Sequence, residues 1–336
     1  MREVLLPTGL STGIGGLPHT DPDAAVAFVH EHHPRLPAAP SLPRRSPLEG
    51  MIAQAAWGIP GVLVLDDGSL MVDEGVVDPR APLVDPGIDG EPFVGLRAFL
   101  DDLASAPSRV APFKLQLTGP VTLGLALHAV GVDPHRVFAV AQQAVTVRIS
   151  AALAAARSAA PGATPVMFID EPGLSAALHP GFPLGVGETL DLVSSAMAAV
   201  QDRAIVGLHC CGRADWQAVL QAGPQILSVP VGAGLVEHAG ALIGFLEGGG
   251  WVAWGAIPTD GPLATSSDVL WRRLVSEWDC LVAEGCDPAL LPERAMITPA
   301  CGLDGFNLEQ AALVAGLAAN LADRLESHML GVDLGA

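Results

Sequence analysis

The sequence predicts an α/β fold of the (β/α)8 TIM-barrel class, organised as a single domain over residues 1–336. Three observations lead there. Half of the residues are hydrophobic and only 16% are charged, which is enough apolar material for one large core and unlike a disordered chain. Short apolar runs ending in turn residues alternate with longer Ala/Leu/Val-rich stretches of helical spacing. The runs number eight, and they are continuous more often than alternating, as expected of parallel strands buried on both faces.

In chain order the predicted strands are Leu10–Ile14, Gly61–Leu65, Phe113–Leu117, Val166–Ile169, Ala204–Leu208, Gln225–Val229, Trp251–Trp254 and Ala295–Thr298. The helices between and after them are predicted at Asp21–His32, Pro47–Trp57, Glu91–Ala104, His135–Ala159, Gly187–Ala199, Leu235–Leu246, Asp268–Glu284 and Leu308–Arg324. Proline disfavours helix interiors and central strands, so the Pro-rich stretches 34–47 and 78–92 are expected to be loop excursions. No solenoid-type repeat interrupts the pattern.

Composition excludes several classes of partner. The formal charge is −19 and Lys114 is the only lysine, so phosphate backbones and anionic lipid surfaces would be repelled. No nucleic-acid or membrane partner is expected. No run of about 18 uninterrupted apolar residues is present, and MREVLLPTGLSTG has no long apolar signal region, so a cytoplasmic location is expected. The five cysteines, Cys210, Cys211, Cys280, Cys286 and Cys301, are an odd set that suits free thiols or metal ligands better than a disulfide framework. Gly248–Gly250 matches no phosphate-binding fingerprint, so no nucleotide cofactor is implied.

In a barrel, functional groups belong at the C-terminal ends of the strands. There the fourth strand is followed by Asp170-Glu171-Pro172, the fifth by His209-Cys210-Cys211 and the eighth by Cys301-Gly302-Leu303. In extended chain, residues two apart project to one side, so His209 and Cys211 can face a common point while Cys210 packs elsewhere. Two thiolates and an imidazole suit a zinc ion with one open position. By spacing alone, the same residues are as consistent with buried free cysteines beside a core histidine.

Five stretches in order, Thr12-Gly13-Ile14-Gly15-Gly16-Leu17-Pro18, Leu117-Thr118-Gly119-Pro120, Ile169-Asp170-Glu171-Pro172, His209-Cys210-Cys211 and Cys301-Gly302-Leu303, give the chain a family resemblance. It resembles the C-terminal catalytic barrel of cobalamin-independent methionine synthase, and more distantly the uroporphyrinogen decarboxylase and corrinoid methyltransferase superfamily. The resemblance implies a methyltransferase whose zinc, held by His209, Cys211 and Cys301, activates the thiol of homocysteine for conversion to methionine. It implies that Asp170 meets the substrate amine, with Glu49 and the neighbouring Glu171 as further substrate contacts, and that the backbone of Gly15 and Gly16 faces the carboxylate. Helix capping before Pro172 is the competing reading of Asp170 and Glu171, and a first-turn helix position that of Glu49.

The sequence also departs from that family. The family's additional zinc-binding glutamate is missing from Leu227-Ser228-Val229-Pro230-Val231-Gly232, and Glu237 is the nearest acidic substitute. The family's acid histidine after the seventh strand is replaced by Gly255-Ala256-Ile257-Pro258-Thr259-Asp260, where Asp260 stands in a similar place as a candidate catalytic group. With that histidine absent and the resemblance confined to the barrel, a polyglutamyl folate donor is not expected. A corrinoid carried by another protein, or a small methyl donor, is expected instead. The rivals are a corrinoid-dependent methyltransferase for another thiol, a non-catalytic barrel with a degraded site, and a decarboxylase using arginines such as Arg44 and Arg45.

Overall fold

Nine strands and eleven helices are found in the computed structural model, which describes residues 6–106, 111–264 and 266–330. The strands are β1 (Leu10–Ser11), β2 (Val62–Val64), β3 (Leu70–Val72), β4 (Phe113–Thr118), β5 (Pro165–Asp170), β6 (Ile205–His209), β7 (Ile226–Pro230), β8 (Trp251–Ile257) and β9 (Ala295–Pro299). The helices are α1 (Pro22–His32), α2 (Met51–Ala56), α3 (Val94–Ser105), α4 (Pro120–Ala129), α5 (Pro134–Ala159), α6 (Val186–Ala198), α7 (Trp216–Gln221), α8 (Ala239–Glu247), α9 (Ser267–Ala283), α10 (Leu290–Glu293) and α11 (Leu308–Met329). Short 3-10 turns at Pro47–Glu49, Glu91–Phe93 and Leu235–His238 precede α2, α3 and α8. Side-chain caps explain several starts: Asp21, Asp133, Asp215 and Asn307 each accept a backbone N–H from the first turn of α1, α5, α7 and α11.

Seven strands form one curled parallel sheet in the order β1-β9-β8-β7-β6-β5-β4. The α/β class is as expected, but the second of the eight predicted strands is not part of this sheet, which has seven strands and is not a closed eight-stranded barrel. Gly61–Leu65 instead contributes β2, which pairs antiparallel with β3. Its glycines explain the difference. Gly61 and Gly68 have φ of +81° and +80°, which turns the chain before β2 and again between β2 and β3. Leu63 remains 58% exposed, so this run is not the doubly buried strand its apolar character suggested.

Residues 37–41 lie between the two edges of the sheet. Lys114 N donates to Pro37 O and Ala39 N to Lys114 O, which ties the segment to β4. Ser41 N donates to Gly15 O and Leu17 N to Ser41 O, which ties it to the chain beyond β1. These contacts are isolated parallel bridges rather than a ladder. Pro37 and Pro40 have no N–H to give, which is why the pairing stays intermittent.

The two faces of the sheet bury different things. The outer face packs with the helices in one continuous apolar cluster. A smaller cluster, including Leu10, Val166, Phe168, Ile226, Ala253 and Met296, fills the inner side. Strand alternation then carries these inward columns upward: Thr12 follows Leu10, Asp170 follows Phe168, Ser228 follows Ile226 and Thr298 follows Met296. His209 follows Gly207, where a Cβ would sit 2.6 Å from the Phe168 ring, so only glycine leaves that ring its place. An apolar floor under a polar rim results.

The helix α4 is missing from the predicted set because Pro120–Ala129 is apolar nearly throughout and has no polar face to reveal a helical period. The 26-residue α5 is the single helix among the described residues long and apolar enough to cross a membrane. It packs here against α3, α4 and α6, and the backbone carbonyls of Trp57 and Gly87 accept from Arg148 on its buried side.

Candidate metal and substrate site

The site forms where the polar rim meets the loops that leave β5, β6 and β9. His209 closes β6, Cys211 lies two residues on, and Cys301 lies two residues beyond the end of β9. Their ligand atoms all lie within 4.8 Å of one another, in a group that could hold a metal ion. Among the described residues no other set of three or more such donors gathers in this way. The imidazole of His209 is 3% exposed, and its Nδ1 lies 2.9 Å from Ser228 Oγ. Its Nε2 is buried with no hydrogen-bond partner. A fixed ring with one nitrogen bonded and the other bare is the arrangement of a metal-ligating histidine with its orienting partner.

The two thiols are coupled. A hydrogen bond from Cys301 pulls the Cys211 thiol below its usual range, and the same pairing pushes the Cys301 thiol up. The pair thus gives up its first proton more readily than its second, which the two sulfurs share. Cys210 points the other way, fully buried and 3.5 Å from Ser175 Oγ, as strand alternation predicts. All five cysteines are free.

Two cavities flank the trio. The smaller, about 220 Å³, is lined by Gly16, Gln116, Asp170, His209, Cys211, Cys301 and Asp304 among others. The larger, about 620 Å³, lies against Cys211 and Cys301 and includes Arg213, Asp260, Arg273 and Asp304. Cys211, Cys301, Gly302 and Asp304 are common to both, so the two thiols form part of each wall.

Asp170 faces the smaller cavity with an Oδ1 atom sealed from solvent and without a partner. Burial pushes its carboxyl up, while the charges of Lys114 and His209 oppose that shift. The Lys114 ammonium is 1% exposed, donates to Ile14 O (2.7 Å) and Gln116 Oε1 (2.9 Å), and sits 4.8 Å from the Phe168 ring centroid. Burial pulls it down to about 8. Gln116 passes the chain of contacts to Ala39 O, and its side chain fills the space a Cβ on Gly15 would need. Gly15 therefore shapes the β1 loop from beneath, whereas Gly16 lines the cavity itself.

Other sequence candidates are placed elsewhere. The Glu49 carboxylate is fully buried and accepts from Leu42 N, Gly95 N and Arg45 Nε, outside the cavity lining. Glu171 is also fully buried; it accepts from Val121 N, Thr122 N and Thr122 Oγ1, so it caps α4. Burial holds its carboxyl up to about 7. Neither side chain has a free oxygen directed to a substrate, and Glu171 caps α4 rather than the turn that begins at Pro172, where its side chain makes no capping bond. Glu237 is exposed and paired with Arg213 at 2.6 Å, apart from the thiols. Asp260 is exposed on the larger cavity. Arg44 and Arg45 do not line the small cavity: Arg44 holds Asp304 O and Gly305 O, and Arg45 holds Glu49 and Glu91.

Three further residues stand at or beside the site: Ser228, Lys114 and Asp304. Ser228 stands inside an apolar run, where a lone hydroxyl at an inward position is its signal in the sequence. Lys114 is the only lysine, and its place in an apolar strand is the mark of a buried one. Asp304 lies three residues after Cys301, in the same loop, and that proximity alone could have drawn notice.

Fold and site together define a parallel α/β protein carrying a three-donor, metal-type centre at the C-terminal ends of its strands. Comparison adds no narrower assignment: no family model matches the chain, and no curated protein matches it.

Proposed function

We propose that the protein is a zinc-dependent thiol methyltransferase that converts homocysteine to methionine, with His209, Cys211 and Cys301 as the zinc ligands. In this reading the fold is a single (β/α)8 barrel in which residues 37–41 stand as the eighth strand, in a cytoplasmic enzyme. The observation that carries the proposal is the convergence of an imidazole and two thiols on one wall of a small cavity whose other groups include Asp170.

Zinc bound by two thiolates and a neutral imidazole supplies Lewis acidity that keeps a substrate thiol deprotonated and nucleophilic at neutral pH. The chain's own residues do the rest. Ser228 orients His209, and Cys211 and Cys301 give up their protons on metal loading. Asp170 offers its bare oxygen to the ammonium of the acceptor, and Gly16 lets the substrate approach the backbone. A cavity of about 220 Å³ suits an amino acid of this size. The methyl donor approaches through the larger cavity, past Asp260. The substrate sulfur forms the new S–CH3 bond with its lone pair as the donor–methyl bond breaks, and the donor leaves with that bonding pair. A small methyl donor or a corrinoid on a partner protein fits an entrance of this kind better than polyglutamyl folate, for which the chain lacks the family's acid histidine.

A second reading, methylation of a different thiol, is favoured by one observation: the Glu49 carboxylate is sequestered, so one amine contact implied by the resemblance is absent. Titrating homocysteine into the metal-loaded protein separates these readings. Binding with release of about one proton per thiol, abolished in Cys211→Ser, supports the homocysteine reading. Proton release with other thiols but none with homocysteine would favour the second.

A further inference from the structure

The small cavity has an unusual charge balance. Asp170 and Asp304 both line it, and no lysine or arginine does. Asp304 is half-buried in the loop between β9 and α11, and among the described residues its carboxylate has no hydrogen-bond or ion-pair partner. Its position is nevertheless fixed. Arg44 donates to its backbone oxygen at 2.7 Å and to Gly305 O at 3.0 Å. Gly16 and Gly302 lie directly beneath its side chain: a Cβ on either would come within 2.5 Å or 2.9 Å of Asp304 Oδ1. Two glycines thus leave the space that the carboxylate occupies.

The shielded, partnerless Oδ1 of Asp170 is a second and independent sign that this cavity awaits a donor. Two carboxylates on one small cavity draw a cation, and Lys114, which offsets the charge of Asp170, does not itself line the cavity. A metal ion there is disfavoured, because neither aspartate belongs to a group of three or more gathered donors. An ammonium brings three N–H donors and one positive charge, so it satisfies both carboxylates and still has one donor left.

We propose that Asp304 is a substrate-binding residue that completes, with Asp170, an ammonium site in the small cavity, so that the acceptor is an aminothiol recognised through its amine. The inference rests on the thiol-methyltransferase reading of the same cavity. It supplies the amine contact that Glu49, bonded elsewhere, does not make. The acceptor's carboxylate finds no lysine or arginine in this cavity, where the one imidazole, His209, belongs to the metal-type trio. The amine therefore sets selectivity.

The test uses the zinc-loaded protein and two thiols, homocysteine and 4-mercaptobutanoate, which keeps the thiol and carboxylate but has no amine. Calorimetry should give homocysteine at least about a tenfold advantage in the native protein, the size expected for a charge-assisted contact. Asp304→Asn should remove most of that advantage, leave 4-mercaptobutanoate binding unchanged and retain full zinc; Asp304→Glu should restore part of the preference. Homocysteine binding within about twofold of native in Asp304→Asn would overturn the inference while leaving the thiol site standing. So would equal binding of the two thiols by the native protein. If the zinc-loaded native protein binds neither thiol, the thiol-methyltransferase reading falls, and this inference with it.

Discussion

Removing one buried hydroxyl tests how the metal-type centre is organised. Ser228 is 1% exposed and its Oγ lies 2.9 Å from His209 Nδ1. For Nε2 to offer its lone pair to a metal, Nδ1 must carry the ring proton and donate it to Ser228. In Ser228→Ala that donor is buried and unsatisfied, at a cost of about 1–3 kcal/mol. Without metal the imidazole escapes by moving its proton to Nε2, which blocks the ligand position. The penalty therefore falls mostly on metal binding, not on folding. The expected result is zinc affinity weaker by about 10- to 100-fold, with the metal-free protein's unfolding midpoint little changed. Competition against a chromophoric chelator measures the first and denaturant titration the second. Ser228→Thr, which keeps a hydroxyl, serves as the control. Zinc affinity in Ser228→Ala within about twofold of native would refute the assigned tautomer and the role of Nε2.

Other perturbations have distinct signatures. Glu171→Ala leaves three donors at the start of α4 without their acceptor, so stability should fall by about 2–4 kcal/mol while zinc content stays full; a loss of homocysteine binding without loss of stability would contradict the capping role. Burial gives folded Lys114 a pKa of about 8 against 10.5 when free, so between those pH values the unfolded chain holds more protons and stability rises with pH. Comparison with Lys114→Met should expose this rise, by up to roughly 3 kcal/mol between pH 8 and 10.5, in chemical denaturation at several pH values; a stability difference independent of pH would count against it. Glu237→Gln removes an exposed partner of Arg213 and should leave the zinc stoichiometry of the purified protein unchanged; loss of metal would restore Glu237 as a ligand.

Much of the sheet was legible because each strand reports its own surroundings. Val166–Ile169 and Trp251–Trp254 are apolar at every position, and the structure buries both of their faces. The segment that bridges the edge strands β1 and β4 is not legible in the same way. Gly61–Leu65 has strand composition, whereas residues 37–41, with two prolines, do not, and yet the second segment bridges the edges. Its place is fixed by partners distant in sequence, Gly15 and Lys114, which no local pattern contains. The metal-type trio was legible because a spacing of two on an extended chain dictates a shared side, and because two strand ends in a curled sheet converge. The fates of Glu49 and Glu171 were not. Each is a carboxylate near the mouth in sequence, and only the folded arrangement of Gly95 or Val121 shows that backbone donors had already engaged it. Asp304 is the converse, an ordinary loop aspartate until Gly16 and Gly302 place it over the cavity.

Elemental analysis of purified, metal-replete protein tests the proposed centre most directly, comparing the native chain with Cys211→Ser and Cys301→Ser. About one zinc per native chain, lost in both variants, is the expected result. A native chain that retains no zinc under these conditions, or variants that keep it as tightly as the native protein, would contradict a metal centre built from His209, Cys211 and Cys301.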